Sequence, residues 1–79
     1  MSGAAAGQAL HERFETIRRA ELERLKKKLG SLTEEDRRFV HQITEDVVYA
    51  LARGPQQALA GNAPPFTVEA VVRLFALET

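Results

Sequence analysis

The sequence predicts an all-α domain of three helices, two long and one short. Three observations carry that expectation. Apolar residues recur at three- and four-residue spacing over long stretches. No segment alternates apolar and polar with period two, and β-branched residues do not cluster outside helical spacing. Two groups of breakers, Gly30-Ser31-Leu32 and the Gly/Pro-punctuated run 54–66, cut the chain into three.

The first helix is expected over about 8–29. Leu10, Phe14 and Ile17 share one stripe; Leu22, Leu25 and Leu29 form a second, rotated by roughly a quarter turn. A strict heptad would hold the stripe in place, so no long regular coiled coil is expected. Glu15–Arg19 and Glu23–Lys27 stand four apart with the acid first, the favourable order for surface pairs. Residues 1–7 are rich in small residues and read as a frayed or expression-derived end. Gly30 can take a left-handed conformation that ends the helix. So short a connection folds the next helix back antiparallel.

The second helix is expected over about 34–53. Thr33 caps it, Glu34, Glu35 and Asp36 charge its first turn, and Gly54-Pro55 stops it. Phe39, Val40, Ile43, Val47, Val48, Ala50 and Leu51 spread over roughly half its circumference. One neighbour needs a stripe of only about 100°, so at least two are implied. Arg38, Gln42, Glu45 and Tyr49 fall on the opposite side, toward solvent or a polar partner. The third helix is expected over about 68–77, capped by Thr67. Val68, Val71, Val72 and Phe75 lie on one side, and Leu74 and Leu77 extend that face.

Length then argues for a second copy. The two long helices would each run about 30 Å and the short one about 15 Å. The short helix cannot cover a groove twice its length, and a soluble chain seldom leaves a broad apolar face bare. A twofold homodimer is the commonest remedy, giving a helical-bundle dimer. The residues expected in the core or the dimer interface are Leu22, Leu25, Leu29, Phe39, Val40, Ile43, Val47, Leu51 and Phe75. Phe14, Val71 and Val72 are also expected to be buried.

The 79 residues carry no formal net charge and no cysteine. The first excludes a strong field for nucleic acid or anionic membrane. The second removes thiol chemistry and fits a reducing, cytoplasmic setting. No apolar run approaches a membrane span, and the start lacks the pattern of a secretory signal. Residues 1–30 hold seven Lys/Arg against four Glu, but the basic residues interleave with Glu12, Glu15, Glu21 and Glu23. A phosphate-tracking stripe would be less neutralised. Lys26, Lys27 and Lys28 suit the negative end of a helix dipole.

No catalytic set emerges. His11–Glu15 and His41–Glu45 have a spacing of four, whereas metal-binding bundles use three and supply further carboxylates. Ser2 and Ser31 have no base nearby, and no glycine-rich phosphate loop is present. Tyr49 has no identifiable catalytic partner. No catalytic, metal-binding or cofactor-binding residue is expected.

The stretch RRAELERLKKKLGSLTEEDRRFVHQITEDVVYALARGP resembles the C-terminal dimerisation domain of glutamyl-tRNA reductase. That family has a basic, Glu- and Leu-containing segment before a Leu-Ser/Thr loop. A helix follows, ending close to L-T-R-R-L-V-N-K-L-L-H-x-P. Ile43 to Pro55 is the matching run, and Leu74-Phe75-Ala76-Leu77 matches a closing leucine-phenylalanine-small-leucine sequence. The likeness covers roughly residues 10–79. Glu45-Asp46 replaces the usual Arg-Arg, Tyr49-Ala50 the usual Asn-Lys, and Arg53 the usual His. Apolar positions are kept better than polar ones, which supports a shared fold more than a shared surface.

The resemblance implies a non-catalytic homodimerisation domain. The parent enzymes reduce glutamyl-tRNA to glutamate-1-semialdehyde with NADPH, in tetrapyrrole synthesis, using a cysteine and a nucleotide-binding domain. Neither a cysteine nor G-x-G-x-x-G is present here, so NADPH is expected only in other domains. Two other readings stay open: an adaptor that takes a partner protein's helix in the apolar groove, and a tRNA-binding accessory. A regulatory protein docking near Tyr49 also stays open.

Overall fold

A computed structural model of the chain describes residues 1–78. It comprises four helices: α1 Gly3–Arg24, α2 Lys26–Leu29, α3 Glu34–Ala60 and α4 Pro65–Leu74. No strand occurs among the described residues. One more helix is present than expected because Leu25, at φ −91° and ψ 8°, interrupts the first one.

The helix begins at Gly3, in the segment expected to fray. Ser2 caps it by accepting the Ala5 N–H at 3.1 Å. Gly3, Ala6, Gly7 and Leu10 then form a seam at helical spacing, with Ala6 and Leu10 buried. A Cβ on Gly3 would meet the Leu59 carbonyl, and one on Gly7 would lie 3.0 Å from the Gln56 Cα. Small residues here let the backbones of α1 and α3 approach closely. Composition alone made this seam look like a loose end.

Gly30 does not adopt the left-handed conformation; its φ is −64°. The chain leaves α2 through a tight turn, in which Leu32 N–H donates to the Leu29 carbonyl at 3.1 Å. Thr33 then caps α3 as expected, accepting the Asp36 N–H at 3.1 Å. The helix continues through Gly54-Pro55, where it was expected to stop, to Ala60. An interior proline removes one backbone hydrogen bond and disfavours helix by about 3 kcal/mol. Burial of Leu59 against Ala6, Val68 and Val72 offsets that cost.

Pro64 occupies the N-cap of α4 and Pro65 its first turn, so Thr67 lies inside the helix instead of capping it. The helix ends at Leu74, with Ala76 in the left-handed region at φ 50°. Leu77 N–H donates to the Val72 carbonyl at 2.9 Å and Ala76 N–H to Arg73 at 3.2 Å, the Schellman pattern. The small residue of Leu-Phe-Ala-Leu is therefore the one that must turn left-handed. Ala76→Gly should stabilise the fold by about 0.5–1 kcal/mol, read as a raised midpoint of thermal unfolding.

α1 and α3 form an antiparallel hairpin, with Gly3 beside Leu59, Gly7 beside Gln56 and Arg18 beside Thr44. α4 packs at the end that carries the termini of α1 and α3. There Ala6, Leu59, Val68 and Val72 make the core, flanked by Ala63, Val71 and Leu77. The far half of the hairpin has no third helix on it.

The dimensions are those of an open hairpin. The Cα atoms span 47 × 22 × 12 Å. Two helix layers about 8–10 Å apart would need about 13–15 Å. The radius of gyration is 15.2 Å, where a closed domain of this length has about 11.6 Å. No large side chain among the described residues is completely shielded from water.

Of the residues expected to be buried, Val72 is buried in the single chain. Phe14, Leu22, Leu25, Leu29, Val40, Val71 and Phe75 are half-buried. Phe39, Ile43, Val47 and Leu51 are exposed, and so is Leu74, which turns away from the core face of α4. Periodicity shows that a helix face is apolar; it does not show whether the same chain covers it.

Candidate functional site

The exposed apolar side chains of α3 are ordered. Thr44, Val48, Ala52 and Leu59 lie on the side turned to α1. Phe39, Ile43, Val47 and Leu51 recur every fourth residue along one flank, 66%, 46%, 51% and 62% exposed. Glu45 and Tyr49 lie on the other flank, where a polar hollow also holds His11, Glu15, Arg19 and Asp46. The hairpin thus has one apolar and one polar face.

On the apolar face, Phe14, Ile17 and Arg18 of α1 and Thr44, Val47, Val48 and Leu51 of α3 line an open groove of about 350 Å³. Phe14 also meets Phe75 edge-to-face, with ring centroids 5.9 Å apart. The cover supplied by the α4 end therefore stops where the groove starts. A second hollow, of about 310 Å³, lies nearer α2 and takes in Leu22 and Leu29 with Arg37 and His41. The structure brings Phe39, Ile43, Val47 and Leu51 into one continuous band. Leu22 and Leu29 lie in the neighbouring hollow, and Phe75 stands at the opposite end.

Sequence reasoning missed two features of this surface. Phe66 and Leu74 stand out from α4 into solvent. Arg18 is buried, although the interleaved charges around it read as a solvated helix face. Phe14 and Leu22, one turn before and one turn after Arg18 on the same helix face, were the available signal.

Glu15 sits under Arg18 and Arg19, and hydrogen bonding to Arg18 holds its carboxyl below the ordinary range, against a smaller opposing effect of burial. A depressed carboxyl pKa contributes stability that is present above the ordinary value and lost as pH falls through the lowered one. Wild type should therefore lose helicity more steeply below about pH 4.5 than Glu15→Gln, followed by circular dichroism during acid titration.

The expected histidine–carboxylate pairs are otherwise engaged. Glu15 binds Arg18 and Arg19, while Glu45 lies 3.5 Å from Arg18. His11 packs edge-on to Tyr49, with centroids 6.2 Å apart. Among the described residues, no group of three or more His, Asp or Glu side chains is placed to hold a metal ion.

The sequence model of the glutamyl-tRNAGlu reductase dimerisation domain matches residues 5–77. The chain belongs to this dimerisation-domain family. No curated protein and no solved structure gave a match. The family match reaches back to residue 5, so the domain includes the buried Ala6 and Gly7, as the α1–α3 seam requires. A dimerisation domain is a self-association module; the band on α3 is one apolar surface that the single chain leaves uncovered, and Phe66 and Leu74 on α4 are also exposed. No helix among the described residues is long and apolar enough to cross a membrane.

Proposed function

We propose that this chain acts as a homodimerisation module of glutamyl-tRNA reductase and contributes no chemistry of its own. The carrying observation is the band Phe39–Ile43–Val47–Leu51 beside the groove walled by Phe14 and Ile17. Area supports it. The chain exposes 5970 Å²; a folded monomer of 8.8 kDa exposes roughly 4,800 Å². The excess of roughly 1,200 Å² per chain suits an obligate interface, where two such faces bury more than about 2,000 Å².

The parent reaction, NADPH-dependent reduction of glutamyl-tRNA to glutamate-1-semialdehyde in tetrapyrrole synthesis, then belongs to other domains. The absence of cysteine from these 79 residues supports that division. The domain would work in the cytoplasm and bind no cofactor. Its task is to hold two polypeptides together by their helical ends.

Sedimentation equilibrium tests the reading. The chain should sediment at twice its 8.8 kDa mass at micromolar concentration. A helical monomer persisting at hundreds of micromolar would sink it and favour an adaptor for another protein's helix.

A further inference from the structure

Arg18 is the one charged side chain in the buried set among the described residues, at 9% exposure. Its guanidinium is satisfied inside its own chain. Nε donates to Glu15 Oε2 at 2.9 Å, and Nη2 donates to the other Glu15 oxygen. Nη2 also reaches Glu45 Oε1 at 3.5 Å. Nη1 donates to Thr44 Oγ1 at 3.1 Å and to the His41 carbonyl at 3.5 Å. Five N–H groups thus face five acceptor atoms, two on α1 and three on α3. Thr44 Oγ1 is held in turn by donating to the Val40 carbonyl at 2.9 Å.

The same side chain is a wall of the apolar groove. Because the groove's walls come from two helices, its shape depends on how α1 sits against α3. Apolar contacts are non-directional and tolerate sliding. The guanidinium does not. A slip of one turn, about 5.4 Å, would carry all three α3 acceptors out of reach and leave the N–H groups of Nη1 unpaired inside the protein, with Glu15 on α1 the remaining partner. No N–H is left over, so a second copy can lie across Arg18 with apolar side chains alone.

We infer that Arg18 is a positioning residue that, with the Gly3–Gly7 seam at the other end, holds α1 against α3 in the register whose groove a second copy fits, and that it contributes to the specificity of self-association. This rests on the reading that the apolar face joins two copies.

Arg18→Met keeps the length of the stem and removes the charge. It should remain helical yet dimerise at least about tenfold more weakly. The register is read separately. The chain has no cysteine, so nitroxides at Glu12→Cys and Arg38→Cys report an intrachain distance when labelled chain is diluted into unlabelled chain. That distance should be sharp in wild type, and broadened or shifted in Arg18→Met. Arg18→Lys, with its donors on one nitrogen, should resemble Arg18→Met. An unchanged distance together with unchanged dimer affinity in Arg18→Met overturns the inference. If Arg18→Met does not fold, Thr44→Val removes one acceptor at nearly constant shape, and an unaltered distance and affinity there overturns it. A monomeric wild type with a sharp distance would instead count against the dimer reading.

Discussion

Val47→Asp should abolish self-association and leave each chain helical. Val47 is half exposed in the single chain, so its replacement carboxylate is hydrated there and costs the fold little. In the paired state the same carboxylate would be covered by apolar surface without a partner. An unpaired buried charge costs about 3–5 kcal/mol, and a twofold dimer carries two of them. The dissociation constant should rise by at least about a hundredfold. Ile43→Asp should behave alike, because Ile43 stands in the same band. Sequence alone left open whether such a change dissociates or unfolds the protein; the exposure of both residues selects dissociation. Sedimentation equilibrium with circular dichroism on the same samples decides it. Loss of helicity in both variants, or a dimer of wild-type affinity, would count against this placement.

Gly7→Leu should cause a large loss of fold stability. Gly7 faces the Gln56 backbone, and the nearest atom to a new Cβ is the Gln56 Cα at 3.0 Å. Backbone cannot swing aside as a side-chain tip can. The added branch would push α1 from α3 and open the seam around Ala6, Leu10 and Ala52, all buried. Overpacking of this kind costs about 1–3 kcal/mol or more, against a helix-propensity gain of under about 1 kcal/mol. A net loss of about 2 kcal/mol should lower the unfolding midpoint of so small a domain by roughly 8–16 °C. Concentration must be held fixed, because dimerisation itself raises the midpoint. Gly7→Ala, which adds only the Cβ, should lose much less.

The helices were legible because their signals are local. Thr33 and its acidic first turn mark the start of α3 whatever packs on it, and the apolar stripes follow from spacing. The ends were less legible because packing decides them. Pro55 reads as a stop, yet Leu59 beyond it belongs to the core and draws the helix on. Gly3 and Gly7 read as loose chain, since a glycine looks alike whether it frays or admits a neighbouring backbone. The apolar band on α3 was visible as a wide face, but only its exposure in a single chain marks it as a surface awaiting cover. Arg18 was hidden for the same reason. Its acceptors on α3 lie more than twenty residues away in sequence, and only the antiparallel hairpin brings them under the guanidinium.

A second copy should cover the flank of α3 from Phe39 to Leu51. Isotope-filtered nuclear Overhauser spectra on a mixture of labelled and unlabelled chains test it most directly. Intermolecular contacts should appear from the methyl groups of Ile43, Val47 and Leu51 and from the ring of Phe39. Intermolecular contacts confined to Phe66 and Leu74 on α4, or none at concentrations of hundreds of micromolar, would contradict it.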